Sequence, residues 1–111
     1  MEIIIGRDSN SNKLALLVDG KRGIDSSVIL PLCVSRLKPE ENLGHCCISI
    51  RKDNIRIINM NPQNVTYVDG EEIVDSVKID IHSIIELGVD QYRINIKKLL
   101  NKIGYIPPVS I

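Results

Sequence analysis

An arginine follows a strongly apolar strand at the very start of the chain. Ile3–Ile5 precede Gly6 and then Arg7. β-Branched residues favour strands, and glycine lets the backbone turn or admit a close neighbour. We therefore expect Arg7 at a solvent-exposed strand end, where its planar fork of donors suits an anion. The alternative interpretation is an ordinary surface arginine.

Two later segments combine polar side chains with the ends of apolar strands. The segment SRLKPEENLGHCC contains Ser35, Arg36 and His45, and the segment NMNPQNVTYVDG contains Gln63 and Asn64. Hydroxyl, amide and guanidinium groups satisfy loop backbones and equally present hydrogen bonds to a ligand. These segments are therefore candidate binding loops.

The cysteines permit one catalytic interpretation, which the residues around them disfavour. His45 precedes Cys46 and Cys47, an arrangement that a Cys–His nucleophile would use. However, strand alternation buries one of these cysteines and exposes the other, and no third group orients His45. We expect a structural histidine, no catalytic residue and no enzymatic activity. Three cysteines without a CxxC spacing predict no metal site and no cofactor, and indicate a reducing, cytoplasmic compartment.

Composition excludes several classes of partner. The 111 residues suit one domain, and 14 basic residues balance 14 acidic ones, so no overall field favours nucleic acid or an anionic membrane. The chain has no Trp, no Phe and three Tyr, which supplies few surfaces for stacking bases. We expect neither a nucleic-acid partner nor direct membrane contact.

The dominant sequence period is two, which predicts strands with one buried face. Asp19-Gly20 and Asp69-Gly70 are hairpin turn signals between apolar stretches, and Lys52–Asn54 is a third turn candidate. The predicted strands cover residues 2–5, 13–18, 27–32, 45–51, 54–59, 65–68, 72–74, 77–81, 84–87 and 91–96. These strands predict an all-β sandwich or barrel of mostly antiparallel sheet, whose core should include Ile48, Ile50, Ile57, Val68, Ile79, Ile85 and Ile94.

The end of the chain has a helical pattern. Apolar residues at helical spacing over 97–103 precede Gly104, a typical helix end. We expect a sandwich domain over 1–96 and a helix with a tail over 97–111.

The order of four short motifs resembles a forkhead-associated (FHA) domain. The chain contains IGRD, then VSR followed by His45, then NVTYVDG, then IELG, and the resemblance runs from Ile4 to about Ile96. It implies a divergent member with an FHA/SMAD-like sandwich, whose loops at one end bind phosphothreonine peptides in signalling. The implied partners are a phosphothreonine-containing protein and an upstream serine/threonine kinase. The isoleucine- and asparagine-rich composition indicates an AT-rich bacterial genome.

The resemblance assigns binding roles to five residues. Arg7 matches the arginine that pairs with phosphate, and Ser35 matches the serine whose hydroxyl donates to phosphate. Arg36 lies at a position whose side chain also reaches the phosphate in many members of the family. Gln63 lies at a position whose side chain often contacts the phosphate. Asn64 matches the asparagine that hydrogen-bonds the peptide backbone.

Four more residues are expected to shape the loops. Gly6 and His45 match positions that organise the family's loops. Thr66 and Gly70 are expected to stabilise turns.

The long segment before His45 departs from the family pattern. LKPEENLG separates Arg36 from His45, where the family has a single residue. Counting back from His45 places Asn42 at the serine position, so the choice between Ser35 and Asn42 is open. Glu40 and Glu41 would weaken phosphate binding if they faced the site. The alternative function is therefore a degenerate FHA-like scaffold that binds a partner protein independently of phosphate.

Overall fold

The computed structural model describes residues 1–22, 26–52 and 54–105. A 3-10 turn spans Pro39–Glu41, and a helix, α1, spans Ile96–Lys102. The strands, in chain order, are β1 Glu2–Arg7, β2 Leu14–Val18, β3 Lys21–Arg22, β4 Cys46–Arg51, β5 Asn54–Asn59, β6 Thr66–Val68, β7 Glu71–Glu72, β8 Ser76–Ile79, β9 Ile85–Leu87 and β10 Tyr92–Ile94.

The described strands form two antiparallel sheets. One has the order β3-β2-β1-β4-β5-β8, and the other has the order β10-β9-β6-β7. The register of β1 against β4 pairs Ile5 with Cys46, and that of β4 against β5 pairs Cys46 with Asn59. The end of β1, the start of β4 and the end of β5 therefore lie side by side. The predicted all-β antiparallel sandwich with a short C-terminal helix is confirmed.

A single apolar core lies between the sheets. The seven core positions predicted from alternation are all buried in it. Helix α1 adds Ile96, Leu99 and Leu100 to the same cluster. The helix therefore closes part of the core rather than standing apart from it, and the proposed division of the chain at residue 96 stays a prediction.

Helix α1 has a clear beginning and end. The Asn95 side chain accepts a hydrogen bond from the Lys98 backbone N–H at 3.0 Å, which satisfies one of the first-turn donors. Gly104 follows the helix with a φ of 80°. No helix among the described residues is long and apolar enough to span a membrane.

Two of the predicted hairpin turns have the backbone that an Asp-Gly pair favours. Asp19 and Gly20 have φ values of 49° and 82°, and Asp69 and Gly70 have values of 52° and 83°. Positive φ at both central positions is the type I′ geometry that matches strand twist. At the third candidate, Lys52 has a φ of 53°, and Asp53 lies outside the described residues.

The strand predicted over 27–32 is wrong. Among its residues only Leu30 is buried, and the pairing there is an isolated bridge between Lys13 and Ile29. Pro31 lacks the N–H that a sheet ladder needs. The third strand of this region is instead the short β3, which continues the hairpin after Gly20.

The outer face of the larger sheet carries a second apolar cluster. It contains Ile4, Ala15, Leu17, Cys47 and Leu37. Cys47 is 6% exposed, so the expectation that one of the adjacent cysteines is exposed is wrong. Leu37, from the segment before His45, is part of this cluster.

Candidate anion-binding site

A cavity of about 440 Å³ opens where β1 ends. Segments 34–38 and 60–64 form its walls together with Arg7. Its polar lining consists of Arg7, Ser35, Arg36, Lys38, Asn61 and Asn64. Four of the five candidate binding residues thus lie around one cavity, and Gln63 is not among the lining residues. No described carboxylate lines this cavity, whereas three cations do.

Arg7 is buried rather than exposed at a wet strand end, which corrects the expectation drawn from the sequence. It is 6% exposed. Its Nε donates to the Val34 carbonyl at 3.1 Å, and its Nη1 donates to Asn12 Oδ1 at 2.6 Å. None of the described carboxylates forms an ion pair with it. A buried charge without an opposite charge is costly, and the remaining guanidinium donors are suited to an incoming anion.

The backbone of segment 35–37 is fastened to the end of β1. The Arg7 N–H donates to the Ser35 carbonyl, and the Leu37 N–H donates to the Arg7 carbonyl, both at 2.9 Å. Gly6 permits this approach, because a Cβ at residue 6 would lie 2.8 Å from the Leu37 nitrogen. The parallel bridge between Arg7 and Arg36 therefore holds Ser35 and Arg36 beside Arg7 despite the long segment that follows.

Two amides orient the hydroxyl of Ser35. Asn64 Nδ2 donates to Ser35 Oγ at 2.6 Å, and Asn61 Nδ2 donates to the same atom at 3.3 Å. A serine hydroxyl has two acceptor lone pairs and one donor hydrogen. With both lone pairs engaged, the hydroxyl hydrogen remains available as a donor to an anion in the cavity.

His45 joins the two binding loops from the interior. The Ser35 N–H donates to His45 Nδ1 at 3.0 Å, and His45 Nε2 lies 2.8 Å from the Val65 carbonyl. Because Nδ1 accepts, the ring proton is on Nε2, which donates to Val65. Burial lowers the pKa of His45, against the opposing effect of its bond to Val65. The neutral imidazole thus links segment 34–38 to segment 60–65 from the interior.

The adjacent thiols do not form an activated pair with His45. Burial raises the pKa of Cys46, and it is the main cause that raises the pKa of Cys47 to about 12. Cys47 Sγ instead donates to Glu2 Oε2 at 3.1 Å. Both thiols therefore stay protonated near neutral pH and are poor nucleophiles.

The long segment folds back on itself beside the cavity. Lys38 and Leu43 form an isolated antiparallel bridge, and the 3-10 turn between them ends at Asn42, whose φ is 54°. Asn42 does not line the cavity, whereas Ser35 does. Glu40 and Glu41 are exposed and also lie outside the lining. The acidic pair therefore does not face the space next to Arg7.

Two other loop residues have local structural roles. Thr66 is fully buried, and its Oγ1 donates to Asn59 Oδ1 at 2.8 Å. Gly70 provides the positive φ of the β6–β7 turn.

Three residues of the site were not identified from the sequence. Asn12 orients Arg7, Asn61 orients Ser35, and Lys38 adds a cation to the cavity wall. Asn12 and Asn61 lie in segments rich in Asn and Ser, where sequence alone does not distinguish a loop-capping amide from one that orients a binding side chain. Lys38 lies in the part of the chain that departs from the family pattern.

Comparison with known proteins identifies the family. A model of the FHA domain matches residues 3–88, which is most of the chain. No curated protein and no solved structure gives a significant match. The matched range includes residues 3–7 of β1, the cavity and strands β4–β9. The chain therefore belongs to the FHA family of phosphopeptide-binding interaction modules.

Proposed function

We propose that this domain binds phosphothreonine in a partner protein and so forms a phosphorylation-dependent protein–protein contact in signalling. The proposal rests on the buried guanidinium of Arg7, with which none of the described carboxylates forms an ion pair, beside the oriented hydroxyl of Ser35. A phosphate monoester brings a charge of about −1.5 to −2 and strong acceptor oxygens. The Arg7 guanidinium supplies the positive charge that such a ligand requires, and the neutral Ser35 hydroxyl supplies a further hydrogen-bond donor.

The proposed roles follow from the hydrogen bonds of Arg7, Ser35 and Asn64 and from the positions of Arg36 and Gln63. Arg7 supplies a charge-assisted, fork-shaped contact to the phosphate, and Ser35 adds a hydroxyl donor. Arg36 is exposed at the cavity wall and supplies a second cation to the same phosphate. Because Asn61 also orients Ser35, Asn64 is able to turn towards the peptide backbone without leaving the serine unsupported. Gln63, beside the cavity, contacts the ligand from the rim.

Apolar contacts support threonine over serine as the phosphorylated residue. Leu32 and Met60 line the same cavity as Arg7 and Ser35. The methyl group that distinguishes threonine from serine buries apolar surface against such side chains, and each buried methyl contributes about 0.8 kcal/mol.

The implied cellular context is a cytoplasmic serine/threonine kinase that modifies the partner. The three cysteines are free in the structure, which is consistent with a reducing compartment. We propose no nucleic-acid partner and no membrane contact, since the charge of the whole chain is balanced.

A calorimetric titration tests the proposal. A library of phosphothreonine peptides is compared with the same sequences carrying threonine or phosphoserine, at fixed salt. We expect the phosphothreonine forms to bind selectively. Arg7→Gln should weaken binding about ten- to hundredfold, as expected for one hydrogen bond to a charged group.

Arg51→Gln is the matched control. Arg51 has an 82% exposed side chain and lies at the other end of β4. Its substitution by Gln removes the same charge as Arg7→Gln without changing the cavity. The control should bind like the parent. Equal affinity for phosphorylated and unphosphorylated peptides would contradict the proposal and favour a phosphate-independent scaffold.

A further inference from the structure

We propose that Lys38 forms a second anion subsite, which recognises another negatively charged group about two residues away from the phosphothreonine of the same peptide. This inference rests on the proposed function, because it extends the cavity that holds the phosphate. The second group is a carboxylate or a second phosphate.

The first argument is the balance of charge. The cavity is lined by three cations, Arg7, Arg36 and Lys38, and by none of the described carboxylates. One phosphate with about two negative charges matches Arg7 and Arg36. The charge of Lys38 then remains for a different part of the ligand.

The second argument is the direction of the Lys38 side chain. Leu37 is buried in the apolar cluster on the outer face of the larger sheet, whereas its two neighbours are exposed and line the cavity. In extended chain, residues two apart point to the same side. Arg36 and Lys38 therefore face the ligand together while Leu37 anchors the segment.

The third argument is spacing. Extended chain rises about 3.3 Å per residue, so Arg36 and Lys38 are separated by about the length of two residues. A bound peptide in extended form presents residues with that same separation on one face. When the phosphate lies beside Arg36, a group two residues away from the phosphothreonine therefore lies beside Lys38.

The position of Lys38 is fixed by its backbone. The Lys38 N–H donates to the Leu43 carbonyl at 2.8 Å, and the Leu43 N–H donates back at 3.2 Å. Gly44 closes this small loop against β1, since a Cβ there would lie 2.7 Å from the Ile5 carbonyl oxygen. A fixed backbone at Lys38 leaves only the side chain to be ordered when the ligand binds.

The existing partner of Lys38 is a weak competitor. Glu41 Oε2 lies 3.9 Å from Lys38 Nζ, and both side chains are 55% exposed. Exposed pairs of this kind contribute little. A ligand anion held by the rest of the peptide is therefore able to displace Glu41.

The test uses four peptides of one sequence in a calorimetric titration. One contains phosphothreonine with alanine two residues before and after it, and a second has glutamate at both of those positions. A third keeps the phosphothreonine and has phosphoserine at both of those positions. A fourth has glutamate at both positions and an unphosphorylated threonine. The proteins are the parent, Lys38→Gln, Lys38→Arg and the matched control Lys78→Gln. Lys78 is exposed on β8 and lies outside the cavity.

We expect the parent to prefer the glutamate peptide over the alanine peptide about two- to fivefold, as for an exposed ion pair, and the phosphoserine peptide more strongly. Lys38→Gln should lose both preferences, so that its affinities for the alanine, glutamate and phosphoserine peptides become similar. Lys38→Arg and Lys78→Gln should keep the preferences.

Two results would overturn the inference while leaving the proposed function intact. One is equal affinity of the parent for the three phosphothreonine peptides, and the other is an unchanged preference in Lys38→Gln. If the unphosphorylated glutamate peptide binds as well as its phosphothreonine form, both the inference and the proposed function fail.

Discussion

Asn12 determines how Arg7 is presented, although it does not line the cavity. Its Oδ1 accepts from Arg7 Nη1 at 2.6 Å, and its own φ is 60°. Asparagine and aspartate tolerate this left-handed conformation better than most residues. A neutral amide at this position orients the guanidinium without neutralising it, so its attraction for an external anion is preserved.

Asn12→Asp should abolish that advantage. The substitution keeps the backbone conformation but places a carboxylate against Arg7, where it competes with the ligand phosphate. We expect phosphothreonine-peptide affinity to fall at least tenfold, in line with the loss of one charged hydrogen bond, without a loss of thermal stability. Calorimetry and thermal unfolding measure the two effects.

Asn10→Asp is the matched control for this change. Asn10 lies in the same turn and is exposed. Its substitution by Asp adds the same charge away from the guanidinium. A similar loss of affinity in both variants would show that added negative charge in the turn, rather than contact with Arg7, weakens binding.

His45 makes stability depend on pH. Its pKa is lowered by burial, so the unfolded chain takes up a proton at a higher pH than the folded chain does. The stability that neutral His45 provides is fully present above its ordinary pKa of about 6.5 and is lost as the pH falls below that value. A protonated ring also loses the bond from the Ser35 N–H, because Nδ1 no longer accepts.

Urea unfolding at several pH values measures this effect. We expect the free energy of unfolding to decrease as the pH falls from about 6.5 towards 5, and the slope to be smaller in His45→Gln. His82→Asn, which changes the exposed second histidine, should retain the slope of the parent. A parent whose stability is constant over that range would contradict the assignment.

At the scale of elements, the critical contact is between the end of β1 and segment 36–38. It depends on the absence of a side chain at Gly6, which lies against the backbone of Leu37. The same contact positions both Arg36 and Lys38. Packing of this strand end and the geometry of the cavity are therefore coupled.

Gly6→Ala should weaken both stability and binding. The added methyl displaces segment 36–38, and overpacking of this kind typically costs about 1–3 kcal/mol. We expect lower stability in urea and lower phosphothreonine-peptide affinity.

Gly104→Ala serves as a comparison for the Gly6 variant. It strains a positive φ in open space after α1, so it should reduce stability while leaving affinity unchanged. Unchanged peptide affinity in Gly6→Ala would show that the strand end and the cavity are independent.

At the scale of the whole molecule, one core joins the two sheets and the C-terminal helix. Leu100 is fully buried in this core, whereas Lys97 is exposed on the same helix. Leu100→Ala should cost about 2–5 kcal/mol of unfolding free energy, because it leaves a cavity in a packed interior. Lys97→Ala should change stability by less than about 0.5 kcal/mol.

Chemical denaturation of these two variants also bears on the extent of the domain. A large loss for Leu100→Ala means that the sandwich requires residues beyond 96. Equal stability of the two variants would show that the packing of Leu100 contributes little to the stability of the sandwich.

The sequence by itself determined most of the strand pattern, the two Asp-Gly hairpin turns and the family. Alternation identified core positions such as Ile48 and Ile85, because a period of two places every second side chain on one face. The Asp-Gly turns were predictable because few residues accept two successive positive φ values. These features depend on neighbours in the chain.

Only the tertiary structure decided which side chains orient the site. The sequence placed Arg7 at a wet strand end, but segment 34–37 and Asn12 bury it. The choice between Ser35 and Asn42 also depended on the fold, since the backbone bonds between Arg7 and segment 35–37 hold Ser35 at the cavity while the following residues loop away. Contacts between residues far apart in sequence arise from packing and pairing register, and no local pattern encodes them.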